Sequence, residues 1–359
     1  MSRAVIDDLI VVKDGVLGGA EQLLLSIANF SLRSGKSCVV VFLDNNGKEN
    51  WEHYISKECL IVNPDKGVLS MLTFLKYTLS QYECRNTLAS NIHVNALLGI
   101  YRKFHFLKTD FLIVRESTSI FTRFTGLKLC SYKLRYWLGY HMADKVVCQT
   151  EYMKNQLELG WRRSKSWDVV HLANPIEKQS IEEKGTVSFT NDFGQYVVSA
   201  GRLIQEKGFD ILINAFANLK DKELNLVILG EGKERVKLEK LIDDLELQNR
   251  VHLLGFKSNP IPYFKNARLC MVSSRIEGFP NVLLQMMTVN TRVASTLCAG
   301  DIDKINGILT CEANNEKKLL EMILSALHPN FGDGNRLIFE ELLQSRNINN
   351  YYTQLFSHA

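Results

Sequence analysis

Through most of the chain, short β-branched or apolar runs alternate with stretches whose apolar residues recur every three or four positions. This is the pattern of a parallel sheet covered by helices. It is clearest after residue 195. There, 196–200 reads as a strand, a glycine-containing loop runs to Gly208, and Phe209, Leu212, Ile213, Phe216 and Leu219 line one face of a helix. Strands at 225–229, 251–254, 269–272 and 292–295 continue the alternation, with helices at about 233–244, before Asn266 and at 282–289. The first half predicts strands near 6–12, 38–43, 87–90, 111–114, 145–149 and 169–172, and a helix from Ala20 that Gly35 ends.

The expected fold class is therefore α/β, with two doubly wound, Rossmann-like domains facing across a cleft. Residues 1–177 form the first domain, and the polar, aperiodic stretch 178–195 is the linker. Residues 196–334 form the second domain. Residues 335–359 read as one or two helices, expected to pack back on the N-terminal domain. Ligands of such sheets bind beyond the carboxyl ends of the strands.

Composition narrows the classes of function. A length of 359 residues suits two cores, and 46% hydrophobic with 23% charged residues is ordinary for a folded protein. No uncharged apolar run approaches the ~20 residues that span a bilayer. Asp7 and Asp8 interrupt the N-terminal apolar run where a secretory leader would continue, so a cytoplasmic location is expected. The eight cysteines contain no Cys-x-x-Cys pair and read as reduced thiols, with no metal expected.

A net charge of +4 is too small to imply nucleic-acid binding, yet it is unevenly spread. Residues 1–177 hold 22 Lys and Arg against 17 Asp and Glu; the remainder holds 21 against 22. Within 101–137, eight basic residues and two acidic ones interleave with aromatic rings. Two readings stay open: core aromatics with solvated cations, or a peripheral face on which Arg102, Lys103, Arg123 and Lys128 meet anionic lipid.

Two loops carry candidate chemistry. GRLIQEKG, from Gly201 to Gly208, follows a strand and precedes a helix, and sets Arg202 and Lys207 beside glycines. Cations, free N–H groups and close backbone approach suit a diphosphate, although an ordinary strand–helix loop would look similar. SSRIEGFPNVLLQMM, from Ser273 to Met287, holds the Glu277 carboxylate beside a turn that Pro280 stiffens. That suits a polyhydroxyl ligand next to an anion; a structural helix cap is the alternative. Gly230-Glu231-Gly232 imitates a dinucleotide fingerprint, but Arg235 stands at the third glycine position, which disfavours hydride transfer. Asp301 and Asp303 follow the turn at Ala299-Gly300 and are a weak metal candidate.

Taken in order, GRLIQEKG, ILGEGKE (228–234), Gly255-Phe256 and EGFPNVLLQ (277–285) resemble the motifs of retaining family-4 glycosyltransferases of the GT-B fold. GGAE (18–21) resembles that family's N-terminal glycine loop, and Asn174-Pro175 falls at its interdomain junction. The resemblance implies transfer of a sugar from a nucleotide diphosphate sugar, UDP-linked by preference, to a saccharide or lipid-linked saccharide. Configuration would be retained, as in polysaccharide or surface-antigen biosynthesis.

It also implies roles. Arg202 and Lys207 would bind the diphosphate and Glu277 the sugar hydroxyls. Gly18, Gly19, Gly201, Gly230, Phe256, Gly278, Phe279, Pro280, Asn281, Val282 and Gln285 would line the nucleotide-sugar site. Gln285 stands where the family has a ribose-binding Glu, and a neutral amide should hold the ribose more weakly. Ser90, Asn91, His93 and Arg115 are acceptor-side candidates, with Asn95 in the same segment. No metal or other cofactor is implied. A nucleotide-sugar epimerase or phosphorylase and a non-catalytic partner subunit are the alternatives.

Overall fold

The computed structural model describes residues 3–161, 164 and 166–357. It divides into two compact units, one of residues 1–175 with 348–359 and one of residues 176–347.

Among the described residues the first unit holds seven strands: β1 (Ala4–Val12), β2 (Cys38–Phe42), β3 (Leu60–Val62), β4 (Tyr82–Ala89), β5 (Thr109–Glu116), β6 (Lys145–Cys148) and β7 (Val169–His171). They lie in the order β3-β2-β1-β4-β5-β6-β7, every neighbouring pair parallel. In the second unit, β8 (Tyr196–Ala200), β9 (Asn225–Leu229), β10 (Val251–Leu253), β11 (Leu269–Val272), β12 (Val293–Thr296) and β13 (Leu309–Cys311) lie in the order β10-β9-β8-β11-β12-β13, again all parallel.

Both sheets are buried on two faces, which is why their strands are apolar at consecutive positions instead of alternating. In β1, Leu9 and Val11 join one core and Ile10 and Val12 the other. In β9, Leu226 and Ile228 face one layer of helices and Val227 and Leu229 the opposite layer. Each order reverses direction once, at β1/β4 and at β8/β11, and strand ends splay apart at such a reversal to leave a crevice.

Two boundary expectations need correction. The stretch expected to be a linker contains the helix Lys178–Lys184, which belongs to the second unit. Its one apolar residue, Ile181, is buried against Ile261 and neighbours, and Asn259 and Lys265 donate to the carbonyls of Lys184 and Gly185. A single apolar position carries no periodicity, so only tertiary contact reveals this helix. The C-terminal segment is also split between the units. Helix Asn335–Ser345 buries Phe339 and Leu343 in the second unit's core, and only helix Ile348–Leu355 returns to the first, burying Tyr351, Tyr352 and Leu355. There the Tyr352 hydroxyl and Ser31 Oγ donate to the buried Asp8 carboxylate, which also accepts from Asn86 at 2.9 Å. Lys145 Nζ donates to the carbonyls of Gln354, Leu355 and Ser357 at 2.7–3.2 Å, closing the helix end.

Candidate functional site

The two sequence motifs of the second unit come together at its sheet reversal. The loop after β8 carries Arg202 and Lys207; the loop after β11 carries Ser273, Ser274 and Glu277. Lys207 Nζ stands 2.7 Å from Glu277 Oε1, and Ser274 Oγ donates to the same oxygen at 2.6 Å. Both charged side chains are largely but not wholly enclosed, at 18% and 14% exposed. The backbone fixes both loops. Glu277 N–H donates to the carbonyl of Cys298 at 2.7 Å, and Ser273 Oγ to that of Lys207 at 3.0 Å.

Glycines make this approach feasible at two positions. Gly208 has φ +64°, and a Cβ there would stand 2.3 Å from the Ser273 carbonyl oxygen. Gly230 has φ +143°, and a Cβ would stand 1.9 Å from the Gly201 oxygen, where the loops after β8 and β9 cross. Gly230 N–H in turn donates to Gly255 O at 2.8 Å, tying in the loop after β10. Phe256, the next residue, is exposed. The methylenes of Lys207 lie over Gly201.

A second ion pair braces the arrangement and was not legible beforehand. Arg275 makes a bidentate contact with Asp210 at 2.7 and 2.6 Å and donates to the carbonyl of Gln205 at 2.7 Å. Burial opposes ionisation of Asp210, but the Arg275 hydrogen bonds and charge outweigh it, and its carboxyl titrates below the usual range. Arg275 sits inside the quoted motif, yet its partner is 65 residues away and no local pattern names it.

Arg202 is exposed, and among the described residues its side chain makes no hydrogen bond or ion pair. Gly278 precedes Phe279, whose ring is buried in the core beneath the Arg346 guanidinium, so only the Phe279 backbone is available to a ligand. Pro280 caps helix Asn281–Val289, on which Leu283, Leu284, Met286 and Met287 point inward. Asn281, Val282 and Gln285 stay partly accessible, with Val282 also packed against the core. Asp301 pairs with Lys304 at 2.8 Å. Among the described residues no group of three His, Cys, Asp or Glu gathers where an ion could sit.

In the first unit, Gly18 precedes helix Gly19–Arg33 with an extended φ of −88°, and a Cβ there would meet only the end of the Glu21 side chain. The acceptor-side candidates divide. Asn91 caps helix Ile92–Lys103 by accepting from His93 N–H at 3.0 Å. His93 is exposed, and its Nδ1 accepts from Arg135 Nε at 2.8 Å. Partial burial, then the Arg135 and Lys13 charges, lower its pKa. Ser90 and Arg115, by contrast, are enclosed. Arg115 is 1% exposed and donates to Ser90 Oγ at 2.8 Å and to Gln149 Oε1 and Asn174 Oδ1 at 2.6 Å, joining the segments that follow β4, β6 and β7. Asn95 is likewise buried, donating to Arg115 O and to the Tyr140 hydroxyl. Beside them Glu116 accepts from the Tyr136 and Tyr140 hydroxyls, and its burial pushes its pKa up to about 7.

Two doubly wound parallel sheets, the second carrying a cation–carboxylate cluster at its reversal, define a GT-B chain. The likeness to solved structures agrees: Anabaena HepE, solved with UDP and glucose, superposes with a TM-score of 0.80, covering 98% of each chain at 17% identity. Residues 181–333 match the family described as glycosyl transferases group 1. An uncharacterized glycosyltransferase of Methanocaldococcus jannaschii is 33% identical over 174 residues, 46% of this chain and 42% of that protein. The N-acetylgalactosamine-N,N'-diacetylbacillosaminyl-diphospho-undecaprenol 4-alpha-N-acetylgalactosaminyltransferase of Campylobacter jejuni is 37% identical over 125 residues, 35% of this chain and 34% of that one. The chain spans less than half the length of these two relatives.

Proposed function

We propose that the protein transfers a sugar from a UDP-sugar to a saccharide or lipid-linked saccharide during surface-polysaccharide synthesis at an anionic membrane face. The observation that carries this reading is the Lys207–Glu277–Ser274 cluster at the β8/β11 reversal, with Arg202 exposed beside it. Arg202 and Lys207 neutralise the diphosphate as its bond to the anomeric carbon breaks, assisted by the N-terminal ends of the following helices, so no divalent metal is called for. Glu277 accepts from donor-sugar hydroxyls. Gln285, one turn beyond Asn281, offers a carbonyl to the ribose.

The acceptor oxygen bonds to the anomeric carbon on the face the diphosphate leaves, its proton passing to a leaving phosphate oxygen. Nucleotide diphosphate and a glycoside of retained configuration result. UDP in the complexes of Anabaena HepE, and the diphospho-undecaprenol acceptor in the name of the Campylobacter relative, support the donor and acceptor classes.

The test is sugar transfer from radiolabelled UDP-sugars to lipid-linked saccharides by the wild type and by Glu277→Ala. Loss of one charge-assisted contact is worth about 1.5–3 kcal/mol, so the variant should lose roughly ten- to hundredfold in kcat/KM. A wild type that turns over and a variant that matches it would refute the assignment.

A further inference from the structure

Helix Gly126–Gly139 of the first unit has an inward face and an outward face that are both apolar. Tyr136 and Gly139 are buried, and Leu129 and Tyr132 pack against the core. On the opposite side Leu127 is 90% exposed, Leu134 54% and Trp137 52%, with Leu138 and Cys130 exposed between them. At 3.6 residues per turn these five positions fall within an arc of about 100°. A surface helix of a soluble fold would place polar residues there.

The flanks are cationic. Lys128 and Arg135 border the stripe on one side and Lys133 on the other, each held over a ring: Lys128 over Phe124 at 4.4 Å, Arg135 over Tyr132 at 5.5 Å, Lys133 over Phe121 at 5.7 Å. None of the three pairs with a carboxylate among the described residues, and residues 117–143 contain no Asp or Glu at all. The structure also removes groups from the broader sequence patch. Arg102 is bound to Asp144 and to the carbonyls of Met142 and Asp110, and Tyr101, Phe106, Phe121, Phe124 and Tyr132 pack in or against the core.

We infer that this outer face is a lipid-docking surface. Leu127, Leu134, Trp137 and Leu138 enter the interfacial layer of a bilayer while Lys128, Lys133 and Arg135 lie among anionic headgroups. The occupant is a negatively charged membrane and not a protein groove, because the stripe lies along one helix and is bordered on both flanks by cations with no acidic residue in the segment. The inference deepens the membrane-face part of the proposed function and is independent of the donor site, which lies in the other unit.

The full chain should float with vesicles of phosphatidylcholine and phosphatidylglycerol at low salt, and not with phosphatidylcholine alone. Added salt should release it. Trp137 is the most exposed of the four tryptophans, so binding should shift the emission to the blue, and the shift should vanish in Trp137→Phe; inorganic phosphate should produce none. Leu134→Ser with Trp137→Ser should abolish flotation. Each of Lys128→Gln and Lys133→Gln should weaken it about fivefold. Thermal shift with UDP-glucose on every preparation reports folding and the donor site separately: a chain that binds the nucleotide and ignores anionic vesicles overturns this inference alone. A dimer in sedimentation that Leu134→Ser with Trp137→Ser dissociates, without flotation, assigns the face to a second copy and also overturns it.

Discussion

Replacing Lys207 by alanine separates two things the site does at once. Its Nζ stands 2.7 Å from Glu277 Oε1, and the Ser274 hydroxyl at 2.6 Å shares that oxygen. At an effective dielectric of about 20, unit charges 2.7 Å apart attract by roughly 6 kcal/mol before desolvation is subtracted. Water still reaches both side chains, so stranding the Glu277 carboxylate should cost about 1–2 kcal/mol of stability, less than for a fully buried pair. Donor affinity should fall further, by the ~10- to 150-fold of one lost charge-assisted phosphate contact.

The double variant Lys207→Ala, Glu277→Ala then discriminates. It no longer strands a carboxylate, so about 1 kcal/mol of the lost stability should return, while UDP-glucose affinity stays as low as in the single variant or falls below it. Urea denaturation reads the first quantity and titration calorimetry the second. A Lys207→Ala protein that binds UDP-glucose within about twofold of the wild type would refute the reasoning, because the pair would then be a brace and nothing more.

Two further perturbations address the scaffold. The Glu116 carboxyl has a pKa of about 7 against 4.5 for the ordinary group, so the folded chain keeps a proton that the unfolded chain has lost between those values. Its stability contribution is complete below 4.5 and disappears as pH rises through 7, by up to about 3 kcal/mol. Glu116→Gln should flatten that loss in denaturation curves taken at both ends of the window, and an unchanged slope would show another group responsible. Gly230→Ala should cost about 2–5 kcal/mol and abolish UDP-glucose binding, since its Cβ would overlap the Gly201 carbonyl at φ +143°. Gly194→Ala, at φ +59° with open space around it, should cost only about 1 kcal/mol by thermal melt. Equal losses in the two would mean that the loop crossing carries no strain.

The sequence was most informative where burial is two-sided and neighbours in space are neighbours in the chain. Consecutive apolar residues in β1, β8 and β9, and the turn chemistry of GRLIQEKG and EGFPNV, encode their surroundings locally. Strands β3 and β13 were not legible: each has three residues at a sheet edge, too few for a period of its own, and of the four such strands the sequence marked only β7 and β10. The helix at Lys178–Lys184 escaped for the same reason, having one apolar contact to show.

The sequence by itself determined the two doubly wound units, the loop chemistry after β8 and β11, and the uneven charge of residues 101–137, because those depend on residue type and short-range spacing. Only the tertiary structure decided that Lys207 pairs with Glu277, 70 residues on, and that Arg275 braces Asp210. It also decided that Arg115 is walled in while Arg202 is open, and that Trp137 points outward while Tyr136 points inward. Which side of a sheet reversal or helix a residue meets is set by elements distant in the chain, and no local pattern carries that information.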